Sequence, residues 1–252
     1  MAKLISKPKK ISTDHYLLRI EHNKSNSSPG QFINIKAGEG TEPLLRRPFS
    51  IFNHDGNLIE IIIKSVGKGT KILCGSQPGT IDILGPLGKG FTLVENKKVL
   101  LAGGGVGNAP LYYLSRKLKE LNNTIYYIYG SQSKEYIYLE EMYEPSTDNF
   151  IITTDNGTKG KRGFTTDIAG ELLGSEKIDM VYTCGPSKMM MKMASLVNDN
   201  TEIEVSLETY FGCGIGLCVG CTVETSEGLK RACYDGPVMN GKTLKWDSLH
   251  KD

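Results

Sequence analysis

Four cysteines near the C-terminus, spaced Cys213-x4-Cys218-x2-Cys221-x11-Cys233, constrain this chain more than any other feature. They ask residues 205–252 to fold as a small module around a shared site. Thiolates are the soft, anionic ligands that iron prefers, and a C-x4-C-x2-C run with a fourth cysteine farther along is a spacing that holds a [2Fe–2S] cluster. Gly212, Gly214, Gly216 and Gly220 let the backbone take positive φ and bring N–H groups close to the sulfurs. Thr222 to Thr225 reads as a strand and Ser226-Glu227-Gly228 as a turn, so a hairpin is expected to fold Cys233 back to the other three. Ile215, Leu217 and Val219 are expected to shield one side of the site. The chemistry implied is transfer of one electron at a time.

Other uses of these cysteines fit less well. A zinc ribbon normally needs paired C-x2-C knuckles, and this tail has a single one. A Rieske centre needs two histidine ligands, yet no histidine lies between Cys213 and Cys233. Disulfides suit a secreted protein, whereas the opening Met1-Ala2-Lys3 lacks the long apolar core of a signal peptide, so a cytoplasmic location is expected. Cys74 reads as a small buried hydrophobe. His15, His22, His54 and His250 show no ligand or catalytic spacing, and no role is expected of them.

The bulk properties exclude several partners. A net charge of +2 over 252 residues argues for neither a nucleic-acid nor a membrane surface. No apolar run reaches the length of a membrane span. The basic cluster Lys3, Lys7, Lys9 and Lys10 reads as a solvated edge.

Three units are expected along the chain. Residues 1–95 read as an N-terminal antiparallel β-barrel, with strands at Tyr16–Ile20, Gln31–Lys36, Leu58–Val66 and Thr80–Leu84 separated by Asp, Gly, Asn and Pro. Residues 96–204 alternate short apolar strands with helical patterns. The strands are Val99–Ala102, Thr124–Tyr129, Phe150–Thr153 and Met180–Thr183; the helices are Pro110–Leu121, Phe164–Leu173 and Ser187–Val197. That alternation predicts a central parallel-sheet α/β domain. Residues 205–252 form the small C-terminal iron–sulfur module. The fold class is therefore multidomain β and α/β.

Two further segments carry binding chemistry. Leu100–Leu121 is a strand, a glycine loop (Gly103-Gly104-Gly105-Val106-Gly107) and a helix, which places backbone N–H groups and a helix dipole where a phosphate is favoured. Pro110 is compatible with the first helical turn. Tight packing alone also explains such a loop. Arg46-Arg47-Pro48-Phe49-Ser50-Ile51 offers a bidentate fork for phosphate beside a hydroxyl, and Gly67-Lys68-Gly69-Thr70 adds backbone donors at a helix start. An ordinary strand with an exposed arginine pair is the alternative for this segment taken alone.

In this order the segments resemble the ferredoxin reductase-like flavoproteins. That family carries an R-x-[YF]-S box, a G-x-G-x-x-P loop and a C-G-P segment, here Arg47 to Ser50, Gly105 to Pro110, and Cys184-Gly185-Pro186. Within it, the chain is similar over essentially its whole length to the electron transfer subunits of dihydroorotate dehydrogenase B. Asp82 to Phe91 and Asp235-Gly236-Pro237 match further motifs of those subunits. Two positions depart from that pattern: Phe49 stands for an aliphatic residue, and Val219-Gly220 for a bulkier or alanine pair.

The resemblance implies that Arg47, Pro48, Phe49, Ser50, Ile62, Ile63, Lys64, Gly69 and Thr70 contact FAD. It implies that Gly103, Gly104, Gly105, Gly107, Cys184, Gly185 and Pro186 serve NAD, and that Cys213, Cys218, Cys221 and Cys233 hold the [2Fe–2S] cluster. For Cys184, a small residue packed at a strand end is the alternative. Gly130, Ser131 and Thr154 to Gly157 are further nucleotide contacts or mere surface turns; Ser131 and Lys134 would be placed to hold a 2′-phosphate if NADP were used. The resemblance also implies a partner, the FMN-containing dihydroorotate dehydrogenase catalytic subunit in a heterotetramer. Electrons pass from its FMN through the cluster and FAD to NAD+. The alternatives are a reductase subunit of another complex, of sulfur reductase, hydrogenase or transhydrogenase type, and a non-enzymatic redox sensor.

Overall fold

Alternation of buried and open positions builds the first unit. Strands β1 (Ala2–Leu4), β2 (Lys9–Lys10), β3 (His15–Glu21), β4 (Phe32–Ile35), β5 (Arg47–Asp55) and β6 (Leu58–Lys64) lead to a short helix, α1 (Lys68–Cys74), then β7 (Gly79–Ile81) and β8 (Ile83–Leu87). The computed structural model describes residues 2–23, 26–38 and 40–249; Met1 and His250 lie outside them. Among the described residues the strands pair antiparallel in the order β7-β1-β3-β6-β5-β4-β8, with β2 on β3. β7 and β8 stand at opposite ends of that order yet follow each other in the chain, so the sheet curls into a nearly closed barrel, as expected. The strand expected across Thr80–Leu84 is broken at Asp82, whose carboxylate accepts a 2.7 Å hydrogen bond from Arg46. Leu18, Ile20, Ile33, Ile35, Ile61 and Ile63 fill the interior. Cys74 is half-buried against that core rather than fully buried.

The second unit comprises β9 (Lys98–Gly104), α2 (Asn108–Glu120), β10 (Thr124–Ser131), α3 (Glu140–Tyr143), β11 (Asn149–Thr154), β12 (Lys161–Arg162), α4 (Thr165–Ser175), β13 (Met180–Cys184), α5 (Ser187–Leu196) and β14 (Glu202–Ser206). The strands pair in parallel in the order β12-β11-β10-β9-β13-β14. Successive side chains of β9 point to opposite faces. Val99 and Leu101 enter a core shared with α2 and the barrel, while Leu100 and Ala102 enter one shared with α4, α5 and the C-terminal region. The chain winds outward from β9 to β11 and returns to β13 on the other side. This reversal opens a crevice at the carboxyl ends of β9 and β13, the place where such sheets receive nucleotides.

In the third unit, β15 (Thr222–Thr225) and β16 (Gly228–Arg231) form the expected hairpin, and β17 (Val238–Asn240) pairs antiparallel with β14. The position 204/205, where the module was expected to begin, falls inside β14. The cluster loop thus leaves one strand of the central sheet and returns to it as the neighbouring strand. Lys89 N donates to Gly236 O at 2.5 Å, so Asp82 to Phe91 and Asp235-Gly236-Pro237 pack on each other.

Barrel and sheet are locked together through α2. Phe52 stacks on Tyr112 at 4.5 Å, Tyr113 donates to Ser27 O at 3.0 Å, and Arg116 donates to Asn53 Oδ1 at 2.5 Å. Burying the two rings stabilises this junction by about 2–3 kcal/mol each, and their stacking adds about 1 kcal/mol. Among the described residues no helix is long and apolar enough to cross a membrane.

Candidate functional site

The loop around Cys213–Cys221 takes its shape from glycine. Gly214 (φ +73°), Gly216 (φ +81°) and also Val219 (φ +51°) adopt the left-handed region, which turns amide N–H groups toward sulfur. Ile215 N and Cys218 N approach Cys213 Sγ at 3.5 and 3.4 Å, Gly216 N approaches Cys233 Sγ at 3.2 Å, and Cys233 N approaches Cys221 Sγ at 3.4 Å. All six cysteines are free thiols. The four in this region fall into neighbouring pairs, Cys213 with Cys218 and Cys221 with Cys233. Among the described residues no three His, Cys, Asp or Glu side chains surround one metal-ion site.

Burial alone would raise the Cys213 thiol, but the N–H groups of Cys218, Ile215 and Leu217 outweigh it and bring the pKa down to about 6. Burial, with the Cys221 thiol beside it, pushes Cys233 up to about 12. Binding metal there must displace a proton. Two thiol pairs ringed by amide N–H groups fit a binuclear iron–sulfur cluster.

One expectation fails here. Ile215, Leu217 and Val219 do not shield the site: they are 39%, 78% and 59% exposed. Turning the amides inward turns these side chains outward. With Tyr234, also exposed, they leave an open apolar surface beside the exposed Cys218.

The arginine box lies on β5 against α1. A Cβ at Gly69 would sit 2.9 Å from Arg47 Nε, so a residue without one lets the guanidinium lie along the first helical turn. Arg47 donates to Leu45 O at 2.6 Å, and Thr70 Oγ1 accepts from Val66 N and Gly67 N, each at 3.0 Å. Those two N–H groups are thereby taken up by Thr70, and it is the guanidinium fork beside the first turn of α1 that fits the phosphates of a flavin dinucleotide. Pro48 and Ser50 are half-buried, and Phe49 packs partly against the barrel core. Ile63 lies in that core and Ile62 in the one shared with α2, whereas Lys64 reaches the crevice.

The crevice is a cavity of about 680 Å³ lined by Gly104, Gly105, Gly130, Ser131, Gly185 and Pro186, with Asp155 and Thr165 farther along. Its size and glycine-lined floor fit a dinucleotide. Gly103, Gly107 and Cys184 lie beneath that floor. A Cβ at Gly103 would meet Asn108 Oδ1 at 2.1 Å, and one at Gly107 would meet Cys184 O at 2.3 Å. Burial raises the Cys184 thiol well above its ordinary range, which keeps it neutral. Thr154, Asn156 and Gly157 do not line the cavity, and Lys134 sits in another depression with Lys9, Lys10 and Lys159.

His15 and Glu208 are among the wall residues that were not anticipated. His15 comes from the barrel, opposite Lys64 in the β3–β6 register. It is 1% exposed, with Nδ1 2.9 Å from Asp14 Oδ1, and burial lowers its pKa to about 4 against the pull of that carboxylate. Only sheet register brings it here, so no local signal existed. Glu208 comes from beyond β14 and is an exposed residue of the wall, where loss of water around its carboxyl raises the pKa against the charge of Lys64. Its place just past a parallel strand's carboxyl end was a usable signal.

A barrel with a phosphate fork, a doubly wound sheet and a four-thiol loop define a ferredoxin reductase-like oxidoreductase fold with an iron–sulfur module. Comparison with known proteins agrees. The iron–sulfur cluster binding domain of dihydroorotate dehydrogenase B matches residues 208–245, and the oxidoreductase NAD-binding domain matches residues 101–195. The "Dihydroorotate dehydrogenase B (NAD(+)), electron transfer subunit" of Fusobacterium nucleatum is 37% identical over 240 residues, covering 90% of this chain and 92% of that one. Its namesake from Desulforamulus reducens is 35% identical, covering 87% of each. The chain belongs to this family of dihydroorotate dehydrogenase B electron transfer subunits. Among solved structures, one of the NADH-dependent reduced ferredoxin-NADP oxidoreductase is 33% identical with a TM-score of 0.89, covering 99% of this chain and 91% of that one. A ferredoxin NADP+ reductase from Neisseria gonorrhoeae, 15% identical with a TM-score of 0.67 over 80% of this chain and 92% of that one, shares the fold.

Proposed function

We propose that this chain takes electrons from the FMN of a dihydroorotate-oxidising partner and delivers them to NAD+. The carrying observation is the joining of the four-thiol loop to the nucleotide-binding sheet through β14 and β17. A bound flavin supplies the exchange between single electrons and hydride, which neither the cluster nor the nicotinamide can make alone. Arg47, Pro48, Phe49 and Ser50 hold it with Gly69 and Thr70, and Ile62, Ile63 and Lys64 border it. Gly104, Gly105, Gly185 and Pro186 receive NAD, supported from beneath by Gly103, Gly107 and Cys184. Cys213, Cys218, Cys221 and Cys233 ligate the cluster. The corresponding units are residues 1–95, 96–204 and 205–252, the last two sharing a sheet.

The exposed Leu217, Val219 and Tyr234 are the surface that the FMN subunit covers, in a heterotetramer. Six free thiols suit the reducing cytoplasm. Purified anaerobically, the protein should carry one FAD and one [2Fe–2S] cluster per chain, and NAD+ reduction by dihydroorotate should appear only after mixing with the FMN subunit. Zinc without flavin would end this reading.

A second reading rests on the 33% identity to the NADH-dependent reduced ferredoxin-NADP oxidoreductase chain. In it the chain serves a transhydrogenase-type complex. Electron flow that requires reduced ferredoxin and a different partner, and ignores dihydroorotate, would select it.

A further inference from the structure

The flavin box and the cluster loop meet at one strand, β4. Ile33 and Ile35 point into the barrel core, so the alternate residues Phe32 and Asn34 face outward. Both meet the C-terminal unit: Phe32 lies 4.9 Å from the Phe211 ring, and Asn34 Nδ2 donates to Cys213 O at 3.4 Å. Both also pair with the arginine box, Phe32 opposite Ser50 and Asn34 opposite Pro48. The fit is close. A Cβ on Gly214 would stand 2.0 Å from Asn34 Nδ2, so the loop passes over the amide with no room for a side chain.

The amide is fully buried and its Oδ1 has no hydrogen-bond partner. Leaving a buried acceptor unpaired costs free energy, and what the asparagine supplies against that cost, and a leucine of similar size would not, is the bond from Nδ2 to Cys213 O. Packing therefore does not account for an asparagine here.

We propose that Asn34 is a positioning residue for electron transfer, registering the Cys213 end of the cluster loop against the flavin strand. This rests on the function proposed above. The step served is the passage of single electrons from reduced cluster to flavin. Two such electrons and a proton make up the hydride that leaves for NAD+. Asn34 forms and breaks no bond in that step; it sets the separation and orientation of the two carriers.

The test uses the full chain loaded with FAD and cluster, and runs the path backwards from NADH. In Asn34→Ala, NADH should reduce the flavin at the wild-type rate, and a dye that accepts from flavin should still turn over. Reduction of the cluster should slow by at least about tenfold, as expected for a small misplacement of reacting centres. The cluster's electron paramagnetic resonance spectrum should shift, a change that a general loss of stability does not produce. Asn34→Leu should not rescue, because it offers no donor to the Cys213 carbonyl. In the double variant Asn34→Ala/Gly214→Ala, cluster content should recover in part relative to Gly214→Ala alone, since the clashing amide is gone while the left-handed backbone still opposes alanine. If Asn34→Ala does not fold, Asn34→Leu, which fills the space but has no donor, takes its place in the same measurements. A fully loaded variant with wild-type cluster reduction and an unchanged spectrum overturns the proposal. A wild-type protein lacking FAD or cluster overturns the functional reading instead.

Discussion

The cluster loop and the nucleotide crevice are both rich in glycine and both use it for left-handed backbone, Gly105 (φ +57°) in the crevice among them, but Gly107 of the crevice has a different reason. In the cluster loop Gly214 and Gly216 supply left-handed backbone, with φ of +73° and +81°, and the turned amides reach the thiolates. In the crevice Gly107 has an ordinary helical φ of −62°. It is glycine because the loop after β9 lies against the loop after β13, where a Cβ would meet Cys184 O at 2.3 Å and Gly185 N at 2.7 Å. The first site is local, carried by one segment and its hairpin. The second is assembled from the barrel, the ends of β9, β10, β11 and β13 and the residues beyond β14. A ligand set can be concentrated in a short loop, whereas a dinucleotide needs a long wall that no single segment provides.

That contrast predicts separable failures. The largest effect is expected from Cys218→Ser, which should remove the cluster's visible and paramagnetic signals and reduce electron flow to the partner subunit to background. NADH-driven dye reduction should persist; losing both together would mean that the two sites are not independent. Gly107→Ala should do the converse. It should raise the KM for NADH by about 10–100-fold and destabilise the protein by about 1–3 kcal/mol, the range for overpacking, with the cluster spectrum unchanged. Steady-state kinetics and a melting curve read both effects. Arg47→Ala removes a charged donor pair beside α1 and should weaken FAD retention by about 10–100-fold, measured by flavin release on dilution. NADH-driven cluster reduction should recover when FAD is added in excess.

The smallest effect tests the barrel's share of the crevice wall. His15 is buried neutral, with its pKa lowered from 6.5 to about 4 in the folded protein. Protonation therefore favours the unfolded chain. Its contribution to stability is intact above pH 6.5 and is lost as pH falls through about 4. His15→Gln should flatten the fall in stability over that window by at most about 3 kcal/mol, measured by denaturant unfolding at each pH. An unchanged slope would show that His15 is not what couples this wall to pH.

Much of this was legible in the amino-acid sequence. Cysteine spacing pointed to the cluster, the change from alternating to helical periodicity located the barrel and the sheet, and the glycine loop marked the end of β9. Thiol ligation and backbone periodicity are local properties, so local sequence records them. Other features were misjudged or invisible. Ile215, Leu217 and Val219 read as a shield, because hydrophobicity does not reveal that they lie exposed on a loop bent by positive φ at Gly214, Gly216 and Val219. The end of the central sheet was missed too, since β17 joins β14 across more than thirty intervening residues.

The amino-acid sequence determined which groups this protein brings to its chemistry: four thiols, an arginine fork and a phosphate-binding turn. The tertiary structure decided how they stand to one another. It placed His15 and Glu208 in the nucleotide wall, sank Cys184 and Gly107 below it, and set Asn34 between the flavin strand and the cluster loop. Residue types fix chemical capacity, but distances between segments remote in the chain arise only from sheet register and the packing of shared cores.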